Sequence, residues 1–115
     1  MKIPVQIQFL GAPPTEALEA LARQHVQKLE SLATDIMACR VVIELLQKHQ
    51  NQGRPFGVRI DLTLPGKELV VSRVQNEDAY VALREAFDSM KRQLEDTVRV
   101  RRGQVKHHEL PLNGG

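Results

Sequence analysis

Cysteine is nearly absent from this 115-residue chain. Cys39 stands alone, so no intrachain disulfide can form and a reducing cytosol is the expected compartment. Aromatic residues are equally scarce, at 3%, and tryptophan is missing. The core must therefore be built from Leu, Ile, Val and Ala, with Phe9, Phe56 and Phe87 as its large fillers. Long apolar runs are also lacking. The longest, from Val41 to Leu46, is broken by Glu44, far short of the roughly 20 residues that span a membrane. The N-terminus alternates apolar and polar residues from Lys2 to Phe9, where a signal peptide needs a continuous apolar stretch.

Catalytic patterns are missing too. There is no Gly-rich phosphate loop and no Gly-x-Ser-x-Gly elbow. Ser31, Ser72 and Ser89 have no histidine within a few residues. His107-His108-Glu109 offers nitrogen and carboxylate ligands, but neighbouring side chains diverge and cannot close on one ion. His25 and His49 fall on separate elements. An enzyme, a metal site, a cofactor and a small-molecule substrate are therefore not expected. Cys39, alternating with Val41 and Ile43, reads as an inert core thiol.

What the chain does have is an uneven charge distribution. The net charge is only +2, but residues 91–115 hold six basic residues (Lys91, Arg92, Arg99, Arg101, Arg102, Lys106) against Glu95, Asp96 and Glu109. The rest of the chain is close to neutral. A cationic end favours a polyanionic partner. Each Lys or Arg that neutralises an RNA phosphate releases counterions, and Arg adds a planar fork that suits phosphate oxygens. The plain alternative is a solvated helix end, whose dipole also favours cations.

The hydropathy pattern predicts the order β-α-β-β-β-α. Residues 2–9 alternate strictly, and Pro4, which cannot donate to a ladder, marks an edge strand. Thr15 offers an N-cap to a helix with Glu16 and Glu19 in its first turn. Its stripe is Leu18, Leu21, Ala22, His25, Leu29 and Leu32. Residues 37–46 and 56–64 read as strands with Cys39, Val41, Ile43 and Leu45, then Phe56, Val58, Ile60, Leu62 and Leu64, facing inward. Gln47 to Pro55 reads as a loop. On the outer face of the third strand, Arg59 and Asp61 are placed for a surface ion pair. Pro65-Gly66 signals a tight turn into a fourth strand, Glu68 to Val74, with Val70, Ser72 and Val74 expected inward. Asn76 offers a second N-cap, with Glu77 and Asp78 behind it. A long helix with stripe Ala79, Leu83, Ala86, Phe87, Met90, Leu94 and Val98 should run to Arg102 and stop at Gly103. Tyr80, beside that stripe, reads as a helix–sheet packing residue. The expected fold is an α+β two-layer sandwich: a four-stranded mixed sheet with two helices packed on one face, of double-stranded-RNA-binding-like form. Residues 1–103 form the domain, and 104–115 a flexible C-terminal tail.

Particular residues on these elements resemble the ribosome hibernation-promoting factor family, which includes the ribosome-associated inhibitor A proteins and the S30EA-type sigma-54 modulation proteins. They are Thr15-Glu16-Ala17-Leu18, Lys28-Leu29-Glu30, Asp78-Ala79-Tyr80 and Arg92-Gln93-Leu94, and the resemblance covers about residues 2–102. It implies docking in the mRNA and tRNA decoding region of the small ribosomal subunit, on 16S-type rRNA and neighbouring ribosomal proteins. The implied activity is silencing of translation during stress or stationary phase. Lys28 and Arg92 match basic positions of the family, and His25 falls where members often carry Lys or Arg. Glu19, Ser89 and Asp96 fall where some members are basic, so the RNA-facing surface is less positive here. The segment Arg101 to Glu109 resembles the stretch leading into a cold-shock domain in some fused members, and the resemblance implies either a short form, without the C-terminal dimerisation domain of long members, or a chain cut before a further domain.

The candidate RNA-binding residues are thus Arg23, His25, Lys28, Lys91, Arg92, Arg99, Arg101, Arg102 and Lys106. A competing expectation is a protein-interaction adaptor that pairs through the sheet edge or its outer face, which exposed Leu69 and Val71 would support.

Overall fold

The computed structural model describes residues 3–46 and 55–109; of Arg73 and of 104–109 it describes the backbone alone. The expected element order is observed: β1 (Val5–Leu10), α1 (Glu16–Glu30), β2 (Ala38–Leu45), β3 (Phe56–Leu64), β4 (Lys67–Asn76) and α2 (Ala79–Glu109). The sheet order is β1-β2-β3-β4. β1 lies parallel to β2, and β2–β3 and β3–β4 are antiparallel. β1 is an edge strand, and its Pro4 contributes what a proline retains, a carbonyl that accepts the Cys39 amide at 3.0 Å. The expected loop at 47–55 falls almost wholly outside the described residues.

Both helices pack on one face of the sheet. Cys39, Val41, Ile43, Val58, Ile60, Leu62 and Leu64 point into a core closed by Leu18, Ala22, Val26 and Leu29 of α1 and by Leu83, Ala86, Phe87, Met90 and Leu94 of α2. α1 lies towards β1 and α2 over β3 and β4. Val26 takes an inward place that the sequence pattern gave to His25, which is only half-buried. Burial raises the Cys39 thiol to about 12, with the nearby Asp61 carboxylate adding to the shift. That keeps the sulfur protonated and unreactive.

The inward face of β4 departs from expectation. Leu69 and Val71 are 5% and 6% exposed, whereas Val70 is 37% exposed and Ser72 also faces out. Val74 nevertheless packs on the core, as expected. The reason is a bulge: Val58 pairs with Val74 but Ile60 pairs with Val71. One extra residue in β4 lets positions 71 and 74, of opposite parity, share a face. Strict alternation read from Val74 therefore misplaces everything before the bulge. The burial of Leu69 and Val71 also removes the exposure that would have supported an adaptor pairing through the outer face.

Helix boundaries bring further corrections. Thr15 stands at the N-cap of α1, but its hydroxyl makes no capping bond. The N-cap of α2 is Asp78, not Asn76. The Asp78 carboxylate accepts the Tyr80 amide at 2.9 Å, while the Asn76 side chain accepts the Asp78 amide at 2.8 Å in a turn preceding the helix. Tyr80 is 46% exposed and is no packing residue. It sits about 100° around the helix from Ala79, which takes the inward position. Gly103 does not stop α2. Its φ is not positive, and a glycine ends a helix by turning left-handed, not by its presence. The helix continues to Glu109, so the first six residues of the expected tail are helical, and 110–115 lie outside the described residues.

Candidate nucleic-acid interface

The two helices run side by side above the sheet and leave an open groove of about 430 Å³ between them. His25, Lys28, Leu29, Ser31 and Leu32 line it from the α1 side, and Arg84, Phe87, Asp88 and Lys91 from α2. The apolar members form its floor, with Leu29 and Phe87 buried in the core. Arg84 and Lys91 are seven residues apart, two helical turns, and so share a face. Lys28, Arg84 and Lys91 are exposed. Among the described residues none of the three forms an ion pair, and Asp88 is the one carboxylate lining the groove. Three cations around one concavity raise the local potential for a polyanion.

His25 is fixed in this groove. Its ring stacks on Phe87 with centroids 4.9 Å apart and planes 12° from parallel. Burial, and secondly the Lys28 ammonium, lower its pKa below the ordinary imidazole range, against an opposing pull from Asp88. The imidazole is therefore neutral at pH 7 in the free protein, an acceptor and a single donor, unlike the Lys or Arg the family resemblance leads one to expect at this position.

The other expected cations separate into groups. Arg92 and Arg99, seven residues apart, share the outward crest of α2. Arg99 is paired with Asp96 one turn earlier, whereas Arg92 has no ion pair among the described residues. Arg102 lies eleven residues from Lys91, three turns on, and continues the Arg84–Lys91 row. Arg23 is not part of this surface. It sits about 140° around α1 from Lys28 and pairs with Glu19 at 3.2 Å. Arg101 turns back to the body of the protein and pairs with Asp35 at 2.8 Å. Lys106 falls where the backbone alone is described. Arg84 was absent from the expected set; its spacings of seven to Lys91 and eighteen to Arg102 are the sequence signal that marks it.

The family model for sigma 54 modulation protein / S30EA ribosomal protein matches residues 5–102, nearly the whole described fold. The chain belongs to this family. No curated protein sequence matches it. The fold of this S30EA family member is similar to that of the N-terminal domain of Protein Y from Thermus thermophilus, with TM-score 0.69 and 19% identity over 83% of this chain and 99% of that one. It is similar also to a ribosomal subunit interface protein from Coxiella burnetii, with TM-score 0.71 and 14% identity over 84% and 99%. The family is ribosome-associated. Among the described residues of this S30EA protein no three His, Cys, Asp or Glu side chains gather to hold a metal ion, and no helix is long and apolar enough to cross a membrane.

Proposed function

We propose that this S30EA family protein acts in the cytoplasm, binds the small ribosomal subunit in the decoding region and silences translation sterically under stress or in stationary phase. The observation that carries this reading is the groove between α1 and α2, where Lys28, Arg84 and Lys91 face one concavity without ion-pair partners among the described residues. Such a surface suits the phosphate backbone of folded RNA, read by shape and charge more than by base edges. Arg92 and Arg102 extend the surface along α2. His25 sits between the cations as a neutral polar contact. Inhibition follows from occupancy: a rigid domain seated where mRNA and tRNA must lie excludes both.

The test is sedimentation of the purified protein through sucrose gradients with separated small and large subunits, alongside a cell-free translation assay. Co-migration with the small subunit, weakened by moderate salt and accompanied by loss of translation, is expected. Migration with neither subunit, or with the large subunit alone, refutes the proposal.

A further inference from the structure

Arg101 stands out among the cations of α2 because the fold already uses it. The buried stripe of the helix, Leu83, Ala86, Met90, Leu94 and Thr97, runs out where the sheet ends. Arg101 occupies the next inward position, four residues after Thr97. Its Nη1 donates to Asp35 Oδ2 at 2.8 Å and its Nη2 to the Pro65 carbonyl at 3.1 Å. One guanidinium thus bridges the α1–β2 connection and the β3–β4 turn, with one planar nitrogen aimed at each acceptor.

Both acceptors sit on fixed backbone. The β3–β4 turn is the two-residue link Pro65-Gly66, with Gly66 at φ 71° and Leu64 paired with Lys67 across it. The connection carrying Asp35 is tied down by the Met37 amide, which donates to the Thr63 carbonyl at 2.8 Å. Beyond the clasp, α2 projects past the sheet with Arg102 on the row that contains Arg84 and Lys91. Without it, Val98 is the last of the described side chains of the helix packed on the core, and helix ends without tertiary anchors fray.

We infer that Arg101 and Asp35 form a positioning clasp: Arg101 does not touch RNA but holds the projecting end of α2 on the bearing that lets Arg102 reach phosphate. The inference rests on the ribosomal reading above. The two roles for Arg101 give opposite signs for one substitution. Asp35→Asn removes a negative charge and releases the guanidinium. If Arg101 were an RNA contact, this variant would bind small subunits as tightly as wild type or more tightly. A clasp predicts the reverse, because the helix end loosens although the protein has become more cationic.

The experiment measures affinity for purified small ribosomal subunits at several salt concentrations for wild type, Asp35→Asn, Arg101→Gln and the double variant, with amide exchange followed through residues 98–103. The expected result is a several-fold loss in each single variant, no further loss in the double, and faster exchange confined to the helix end. The slope of log affinity against log salt should become shallower by roughly one in Asp35→Asn, the signature of one lost phosphate contact. A merely structural pair would leave that slope unchanged. Wild type that binds while Asp35→Asn binds equally or better, or with an unchanged slope, overturns the clasp and leaves the ribosomal reading intact. Wild type that does not bind small subunits overturns the ribosomal reading, and the clasp's role with it.

Discussion

Replacing Lys28, Arg84 and Lys91 together by Gln tests the groove most directly. All three are exposed and none is in an ion pair among the described residues, so the substitution breaks no visible contact. Exposed changes of this kind shift stability by about 0.5 kcal/mol or less each, and thermal melts should confirm a folded domain. Binding should respond differently. Each cation seated on one phosphate contributes about 0.7 to 0.9 to the slope of log affinity against log salt, so three contribute about 2 to 3. Between 50 and 200 mM salt, wild type should then lose about 20- to 40-fold more affinity for small subunits than the triple variant. Fluorescence anisotropy of labelled protein against small subunits, across that range, reads the slope. Asp88→Asn is the complementary change: it removes the carboxylate lining the groove and should tighten binding. Parallel salt slopes for wild type and the triple variant would refute the argument, because attraction to phosphate through these side chains cannot vanish without changing counterion release.

Three further expectations concern the fold itself. Since burial lowers the His25 pKa, the unfolded chain takes up a proton near pH 6.5 before the native one does, so stability is full above that pH and falls as the pH drops below it. Melting temperatures of wild type between pH 7.5 and 5.5 should fall more steeply than those of His25→Gln, and equal slopes would contradict the stacked, buried ring. In β4, Leu69→Ala should cost about 2–5 kcal/mol in urea denaturation, whereas the adjacent Val70→Ser should cost about 0.5 kcal/mol or less; the opposite ranking would mean the bulge lies elsewhere. Asp78→Ala should cost about 1 kcal/mol through loss of the α2 cap, while Thr15→Ala, which removes no capping bond, should leave stability nearly unchanged.

The parts of this fold that were legible in the sequence are those set by local periodicity. Ile60, Leu62 and Leu64 alternate with Arg59, Asp61 and Thr63 because β3 is central and half its side chains must enter the core; the structure buries these three. Pro4 disclosed an edge because a residue without an N–H is tolerated where no neighbour needs one. The order of elements then constrained the topology, since a helical crossover places β1 parallel to β2 and short links make the rest antiparallel. Failures occurred where one extra residue or a competing donor decides the outcome. The bulge in β4 leaves no composition signal, and Leu69-Val70-Val71 reads equally well in either register. Asn76 and Asp78 are both good cap residues, and only the geometry that brings the Tyr80 amide to the Asp78 carboxylate selects between them.

The arrangement of the candidate site was legible only in part, because charge along a sequence is not charge on a surface. Counting by segment singled out residues 91–102 and passed over Arg84, whose stretch of chain is neutral; the helical repeat of α2 returns Arg84 to the same face as Lys91 and Arg102, and the packing of α1 sets Lys28 opposite. The same repeat sends Arg101 inward, onto Asp35, 66 residues away in sequence. No local pattern records that pairing. Adjacent arginines on one helix are about 100° apart, so of Arg101 and Arg102 at most one can face a given partner. Where α2 reaches the β3–β4 turn, Arg101 is bonded to the body of the protein through Asp35 and the Pro65 carbonyl; on the proposed ribosomal reading that leaves Arg102 as the cation free to meet phosphate, an anchor and a probe and not a doubled charge.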